Sequence, residues 1–465
     1  MANLQEPRQT AGFAGTLGRW KRYSAYKPSG VEWLGEIPAH WEVKRLKTIA
    51  SVQLSNVDKK SVEGQESVRL CNYVDVYYHE RISPDMDFMT ATATPEQARR
   101  FSLRAGDVLI TKDSESWTDI AVPAVVTSDL PDVLCGYHLA LVRPAAGCHG
   151  AFLARAFAAI GPRDQFQVAA NGITRFGLSG EAICTGLFAI PPLPEQLAIT
   201  AFLDRETAKI DALVAKKERL IELLQEKRAT LITHAVTKGL NPSASMKDSG
   251  GIEWLGQIPA HWEAKRLPFV VIVQEGPGIM ASDFLEDGVP LLRIGNLTQG
   301  SVTLDGCNFL SPEKVESRWR HFRLEEGDLL ISGSASTGQV SFVDSAAAGS
   351  IAYTGIFRLR PVGGNVLKEF VAYFVGSAAF LDQVNTLRTG VGIQHYGPKH
   401  LRSVWVPLPP FQEQLSIREV LDVETGKIDA LIARVRKGIE RLKEYRAGVI
   451  SAAVTGKIDV RDEMV

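Results

Sequence analysis

The feature that most constrains this chain is that it repeats itself. Residues 32–46 read EWLGEIPAHWEVKRL and residues 253–267 read EWLGQIPAHWEAKRL, matching at 13 of 15 positions with an offset of 221. The match resumes at Gly106-Asp107 and Gly327-Asp328 and fades through the middle of each half. It returns as PPLPEQLAITAFLD, ending at Asp204, against PPFQEQLSIREVLD, ending at Asp422, now with an offset of 218. TAKIDALVAK then matches TGKIDALIAR, and ITHAVTKG matches ISAAVTGK. Two copies of a unit of about 220 residues exceed any solenoid period and imply duplication of a whole domain plus a helix.

Composition narrows the class. With 45% apolar and 23% charged residues, the 465-residue chain reads as globular rather than disordered or fibrous. Its apolar runs, such as Phe269 to Val273, are far below the roughly 18 residues of a membrane helix. Met1 to Trp20 has no apolar core of a secretory signal. Five scattered cysteines without a CxxC pair suit reduced thiols, so a cytoplasmic location is expected. A net charge of -1 means that any nucleic-acid surface must be local or partly supplied by a partner.

The expected fold is α/β (α+β). Strand-like runs are Val68 to Val74, Val108 to Thr111 and His138 to Val142 in copy one. In copy two they are Leu291 to Leu297, Leu329 to Ser332, Val340 to Val343 and Ile351 to Leu359. The spacing predicts a helix over Val366 to Val384, capped by Asn365. After each proline cluster a heptad begins. Leu421, Ile428, Val435, Leu442 and Val449 recur every seven, with Leu431, Tyr445 and Ala452 on an interleaved row. Copy one has Leu203, Ile210, Leu224 and Leu231, with Leu213 and Leu220 interleaved. Such patterns predict long helices pairing as a coiled coil, the alternative being amphipathic helices packed on their own domains.

No enzyme constellation survives inspection. Gly333 to Gly338 has phosphate-loop glycine spacing, but Gln339 and Val340 stand where Lys and Ser/Thr are required, so it reads as a turn. There is no Asp/Asn-Pro-Pro-Tyr/Phe tetrad for amino-methylation of a flipped base, no Gly-x-Gly-x-x-Gly and no His-Glu-x-x-His. His40 and His261 read as packing residues, and Glu42 and Glu263 lack the acidic partner of a nuclease. No catalytic, cofactor or metal residue is expected.

Recognition remains. Copy one offers Arg69, Asn72, Tyr73, Lys112, Ser114, Asn171, Thr174 and Arg175. Copy two offers Arg293, Asn296, Ser332, Ser334, Arg388, Thr389, Gln394 and His395. Arg suits guanine, Asn and Gln suit adenine, and Ser, Thr and glycine amides suit phosphates.

From about Lys21 to Asp459 the chain resembles the specificity subunits of type I restriction–modification systems. The resemblance rests on the order and duplication of KPSGVEWLGEIPAHWEVKRL, the Gly-Asp turns, the paired PPLPEQ and PPFQEQ strings, and the Lys-Ile-Asp-Ala-Leu helices. It implies a flexible extension over 1–20, a target recognition domain over 21–194 and a spacer helix over 195–240. A second recognition domain then spans 241–410, and a second helix with tail spans 411–465. The helices would pair antiparallel, pseudo-two-fold, and set the gap between two unlike half-sites of a split double-stranded DNA target. Partners would be two methyltransferase subunits and restriction/translocase subunits, with S-adenosylmethionine, ATP and Mg²⁺ belonging to them. Two other readings stay open: an enzyme acting on DNA unaided, and a coiled-coil interaction scaffold without DNA contact.

Overall fold

The computed structural model describes residues 20–252, 254–333, 339–387 and 396–463. The chain divides into two compact units, Met1–Lys217 with Arg436–Val465, and Glu218–Val435. Each unit thus holds one globular half and a part of both long helices.

In the first unit a five-stranded sheet runs in the order Ala50–Leu54, Leu139–Pro144, Val108–Thr111, Pro123–Val126, Arg81–Ile82, antiparallel except for its last pair. A four-stranded sheet orders Met89–Ala93, Glu66–Cys71, Leu130–Cys135 and Ser102–Leu103. Alternation along the strands explains the layering. Val108 and Ile110 join Phe152 and Phe157 of the Gly150–Ala158 helix in one core, while Leu109 and Leu141 join Leu70 and Val133 in another. Strands 108–111 and 139–142 are therefore covered on both faces, which is why they read as unbroken apolar runs.

The second unit repeats this plan. Its five-stranded sheet orders Val271–Glu275, Ile356–Pro361, Leu329–Ser332, Val340–Phe342 and Gly300–Ser301. The smaller sheet has three strands, Asn308–Leu310, Val289–Leu292 and Ile351–Ala352. Leu329 and Ile331 face one core with Phe370 and Phe374, and Leu330 faces another with Leu292.

Several sequence expectations are corrected here. The run from Val68 is strand only to Cys71, because Asn72 starts a helix over Tyr73–Tyr78. Ile351 to Leu359 is two strands interrupted at 353–355. The helix expected over Val366 to Val384 is two, Lys368–Val375 and Ala378–Leu387, broken at Gly376-Ser377. The first of these has Leu367, not Asn365, at its N-cap position, because Gln414 takes the Asn365 carbonyl and the Leu367 N–H.

The long helices are Leu193–Lys238 and Phe411–Val454. In the first unit Arg446 forms a bidentate pair with Asp211, and a Cβ on Gly438 would sit 3.5 Å from the Lys217 ammonium. In the second, Arg228 grips Asp429 in the same way, and a Cβ on Gly239 would sit 3.2 Å from Glu413. Rising numbers on one helix meet falling numbers on the other, so the pairing is antiparallel within each unit. The sevenfold row from Leu421 is buried or half-buried throughout, but its companion row lies four residues on, at Thr425, Ile432 and Ile439. Leu431, Leu213 and Leu220 are each more than 40% exposed. The seam steps four then three residues, so of the interleaved row expected at plus three Leu431, Leu213 and Leu220 face out, whereas Tyr445 is half-buried and Ala452 buried.

Among the described residues no helix is long and apolar enough to cross a membrane, and no cluster of three His, Cys, Asp or Glu side chains is placed to hold a metal.

Candidate nucleic-acid interface

The repeated motifs are consumed by structural pins built on the same plan in both units. Glu195, at the start of the first long helix, is buried and accepts from His40, Trp41 Nε1 and the Tyr23 hydroxyl at 2.8, 3.0 and 2.6 Å. Burial and then the Glu195 carboxylate push the Tyr23 hydroxyl far above its ordinary pKa, so it stays a donor. Glu413 accepts from His261 and Trp262 at 2.7 and 3.0 Å. Gln196 takes the His149 N–H and gives its amide to Gly147 and Pro191 carbonyls; Gln414 does the same with Leu367, Asn365 and Pro409. The Gly-Asp turns bind arginine: Asp107 takes Arg143 Nε and Nη2 at 2.8 and 2.7 Å, and Asp328 takes Arg360 at 2.7 and 3.0 Å.

The helix ends close each unit. Lys457 Nζ donates to the Leu34 and Glu36 carbonyls, and Lys238 Nζ to those of Leu255 and Gln257. The adjoining glycines have left-handed backbones, φ +71 at Gly456 and +78 at Gly239, and lie against Pro38 and Trp41 or Pro259 and Trp262. The strings TGK and TKG thus exchange glycine and lysine in order yet give each the same partners. His40 and His261 are structural, as the sequence reading held.

Above these pins the chain brings the candidate segments together. Gly136 N donates to Cys71 O at 2.9 Å, Lys112 N to His138 O at 3.0 Å and Leu178 N to Lys112 O at 2.8 Å. Asp113-Ser114 pairs with Phe176-Gly177. Three candidate segments and the 136–138 loop therefore converge. Asp113 is the hub, contacting Lys112 Nζ, Arg175 Nη2 and His138 Nδ1 at 3.1, 3.1 and 2.5 Å. Lys112 also lies 4.4 Å from the Tyr137 ring centroid, and Tyr73 bonds Ser114 at 3.1 Å while stacking on Tyr77. Asn171 and Thr174 are exposed in the adjoining loop. Arg69 is held by Asp132 in a bidentate pair that raises its pKa.

The second unit has the same hydrogen-bond frame. Tyr353 N donates to Leu292 O at 2.9 Å, Gly333 N to Gly355 O at 2.7 Å and Tyr396 N to Gly333 O at 3.1 Å. Glycines now stand where Lys112 and His138 stand in the first unit. The result is an open cleft of about 880 Å³ lined by Glu275, Arg293, Asp305, Thr354, Tyr396 and His400, among others. Of the candidates, Arg293 lines this cleft exposed, while Asn296 is buried, donating to Asp305 O, and Ser332 is buried with its carbonyl taken by Tyr396. Asn296 and Ser332 are thus frame residues. Ser334, Arg388, Thr389, Gln394 and His395 lie outside the described residues. Sequence reasoning quotes Asp113 only as the link between Lys112 and Ser114 and misses Tyr137 and His138; the alternation of charge and aromatic in LCGYHLALVRP was the one available signal.

Residues 259–441 match the family described as type I restriction modification DNA specificity domain. The chain is similar to the type I restriction enzyme MjaVIII specificity subunit of Methanocaldococcus jannaschii, 28% identical over 59% of this chain and 62% of that protein. The alignment thus spans under two thirds of that relative. A putative MjaX specificity subunit from the same organism is 24% identical over 92% of this chain and 96% of its own length. The EcoKI specificity subunit of Escherichia coli K12 is 26% identical over 44% of each. Among solved structures, a chain described under complex assembly and conformational transition of the type I R-M system superposes with a TM-score of 0.66, at 18% identity, covering 90% of this chain and 98% of its own. The HsdS subunit from Thermoanaerobacter tengcongensis gives 0.50 at 18% identity, over 91% and 98%. At these identities the structural likeness speaks for the fold.

Proposed function

We propose that this chain is a specificity subunit of the type I restriction–modification family and reads a split, asymmetric double-stranded DNA target with one globular half per half-site. It is non-catalytic in this reading and acts in the cytoplasm. Two methyltransferase subunits and the restriction/translocase subunits dock on it and bring the S-adenosylmethionine, ATP and Mg²⁺ chemistry. The observation that carries the proposal is the division of labour in the sequence. The repeated motifs are spent on equivalent pins, whereas the side chains above the shared frame differ, as two readers of unlike half-sites require. A near-neutral chain is compatible with this role when partner subunits contribute phosphate contacts.

The test is methylation profiling of DNA from cells expressing this chain with its methyltransferase. Exchanging residues 68–185 for the same region of another family member should change one half-site alone. Rewriting of both half-sites together would refute modular reading, and absence of any sequence-dependent binding would favour the interaction scaffold.

A further inference from the structure

The two units carry different side chains at one equivalent backbone position. Parallel pairing sets Leu134 and Cys135 against Leu70 and Cys71 in the first unit, and Ile351 and Ala352 against Leu291 and Leu292 in the second. The next residues are Asn72 and Arg293. Their backbones nearly coincide, at φ −96, ψ 175 and φ −104, ψ 169. Each N–H is held by the side chain three residues on: Asn72 N by the Asp75 carboxylate at 2.7 Å, Arg293 N by the Asn296 amide oxygen at 2.8 Å. Each carbonyl accepts the N–H of that same residue, at 3.2 and 2.9 Å. The main chain is therefore fixed without help from the side chain at 72 or 293, and neither side chain caps the helix it precedes.

This frees those side chains for another use. The Asn72 amide contacts Leu70 O at 3.4 Å, the outer limit of hydrogen bonding, and Met89 Sδ, a weak acceptor, at 3.5 Å. The Arg293 guanidinium reaches Asn308 Oδ1 at 3.5 Å and meets no carboxylate among the described residues. Arg69 and Arg175, by contrast, are already engaged with Asp132 and Asp113. The similar strings Arg69-x-x-Asn72 and Arg293-x-x-Asn296 mislead on this point, because they lie three residues out of structural register.

We infer that this shared position determines specificity in both units, with Asn72 reading an adenine and Arg293 a guanine through paired hydrogen bonds to the major-groove base edge. These are the two residue types whose ends match those bases. The inference rests on the DNA-reading function proposed above.

The experiment uses the full chain assembled with its methyltransferase and selects bound duplexes from a pool randomised in both half-sites. Arg293→Asn should shift one position of the second half-site from guanine to adenine, with guanine discrimination there falling roughly 5- to 150-fold. Every first-half-site preference should persist and thereby report that the chain is folded. Unchanged preferences in Arg293→Asn overturn the inference while leaving DNA reading intact. No sequence preference in the unmodified chain overturns both. Should Arg293→Asn bind no duplex, the reciprocal Asn72→Arg carries the test. It should convert one adenine of the first half-site to guanine, and an unchanged first half-site overturns the inference.

Discussion

Where the first unit is full, the second is open. Lys112 and His138 in one are Gly333 and Gly355 in the other, on backbones joined by the same hydrogen bonds. In the first unit those side chains gather Arg175 around Asp113, making a charged surface that is already internally paired. In the second their absence leaves a cleft of about 880 Å³ beside Arg293. A duplicated frame can thus present two unlike surfaces with few changes, because no frame hydrogen bond depends on the side chains that vary. The pins below behave oppositely: Trp, His, Glu, Gln, Asp and Arg recur because each is a partner in a bond that fastens its unit.

The comparison breaks most easily at the paired tryptophans. Trp41 and Trp262 are both fully buried, and each donates to the glutamate that opens a long helix. Trp41→Ala and Trp262→Ala should each cost about 3–5 kcal/mol, by lost packing and a cavity. Denaturant unfolding checks this, and a large inequality between the two would show that the pins are not equivalent.

The glutamates sharpen the comparison at a smaller scale. The side chain of Glu195 is 6% exposed with three donors, whereas that of Glu413 is 26% exposed with two. Tyr23 makes the difference, and residues 243–246 supply no counterpart hydroxyl bonded to Glu413. Replacing a carboxylate by an amide leaves donors facing a donor. Glu195→Gln should therefore lose about 1–3 kcal/mol, and Glu413→Gln distinctly less. Hydrogen exchange in the first turn of each long helix reads the two effects separately.

Much of this was legible in the sequence because exact repetition marks what both units must share. The duplicated motifs carry most pin residues, although Tyr23, Arg143 and Arg360 lie outside them and only the structure shows that IPAHW grips Glu195 and Glu413. The apolar runs at Val108 and Leu329 were readable since burial on both faces leaves no ambiguity of side. Legibility failed where one residue ended an element. Asn72 turns a strand into a helix through Asp75, and Gly376-Ser377 splits a helix whose apolar stripe continues across the break. The heptad gave the correct row but misplaced much of its companion, because leucines at plus three (Leu213, Leu220, Leu431) compete with isoleucines at plus four (Ile432, Ile439). The candidate surface was partly found. Lys112, Ser114, Tyr73 and Arg175 do converge, but Asp113, which binds Lys112 and Arg175, carries no mark in a string where any charge would pass as solvated.

The smallest effect tests a feature that the second unit lacks. Glu80 accepts from Arg155 and from Arg446 of the second long helix, each at 2.7 Å, while Asp204 takes Arg155 and Arg81 at 3.1 and 2.7 Å. Strand register puts Gly300 where Glu80 stands, and the second unit has instead a Tyr373 hydroxyl donating to Asp422 at 2.6 Å. Burial and that carboxylate raise the tyrosine to about 12. Burial alone would raise Glu80, but Arg155 and Arg446 outweigh it and hold its carboxyl below the ordinary 4.5. A lowered folded-state pKa adds stability that is complete above the unfolded value and is lost as pH falls through the folded one. In Glu80→Gln both arginines keep a carboxylate, Asp204 and Asp211, and Glu80 is half-exposed, so the loss at neutral pH should be only about 0.5–1 kcal/mol. The gap in denaturation midpoint between the variant and the unmodified chain should close as pH is taken below 4.5. A gap that persists unchanged in acid would mean that Glu80 holds the first globular half to the helix by packing and not by charge.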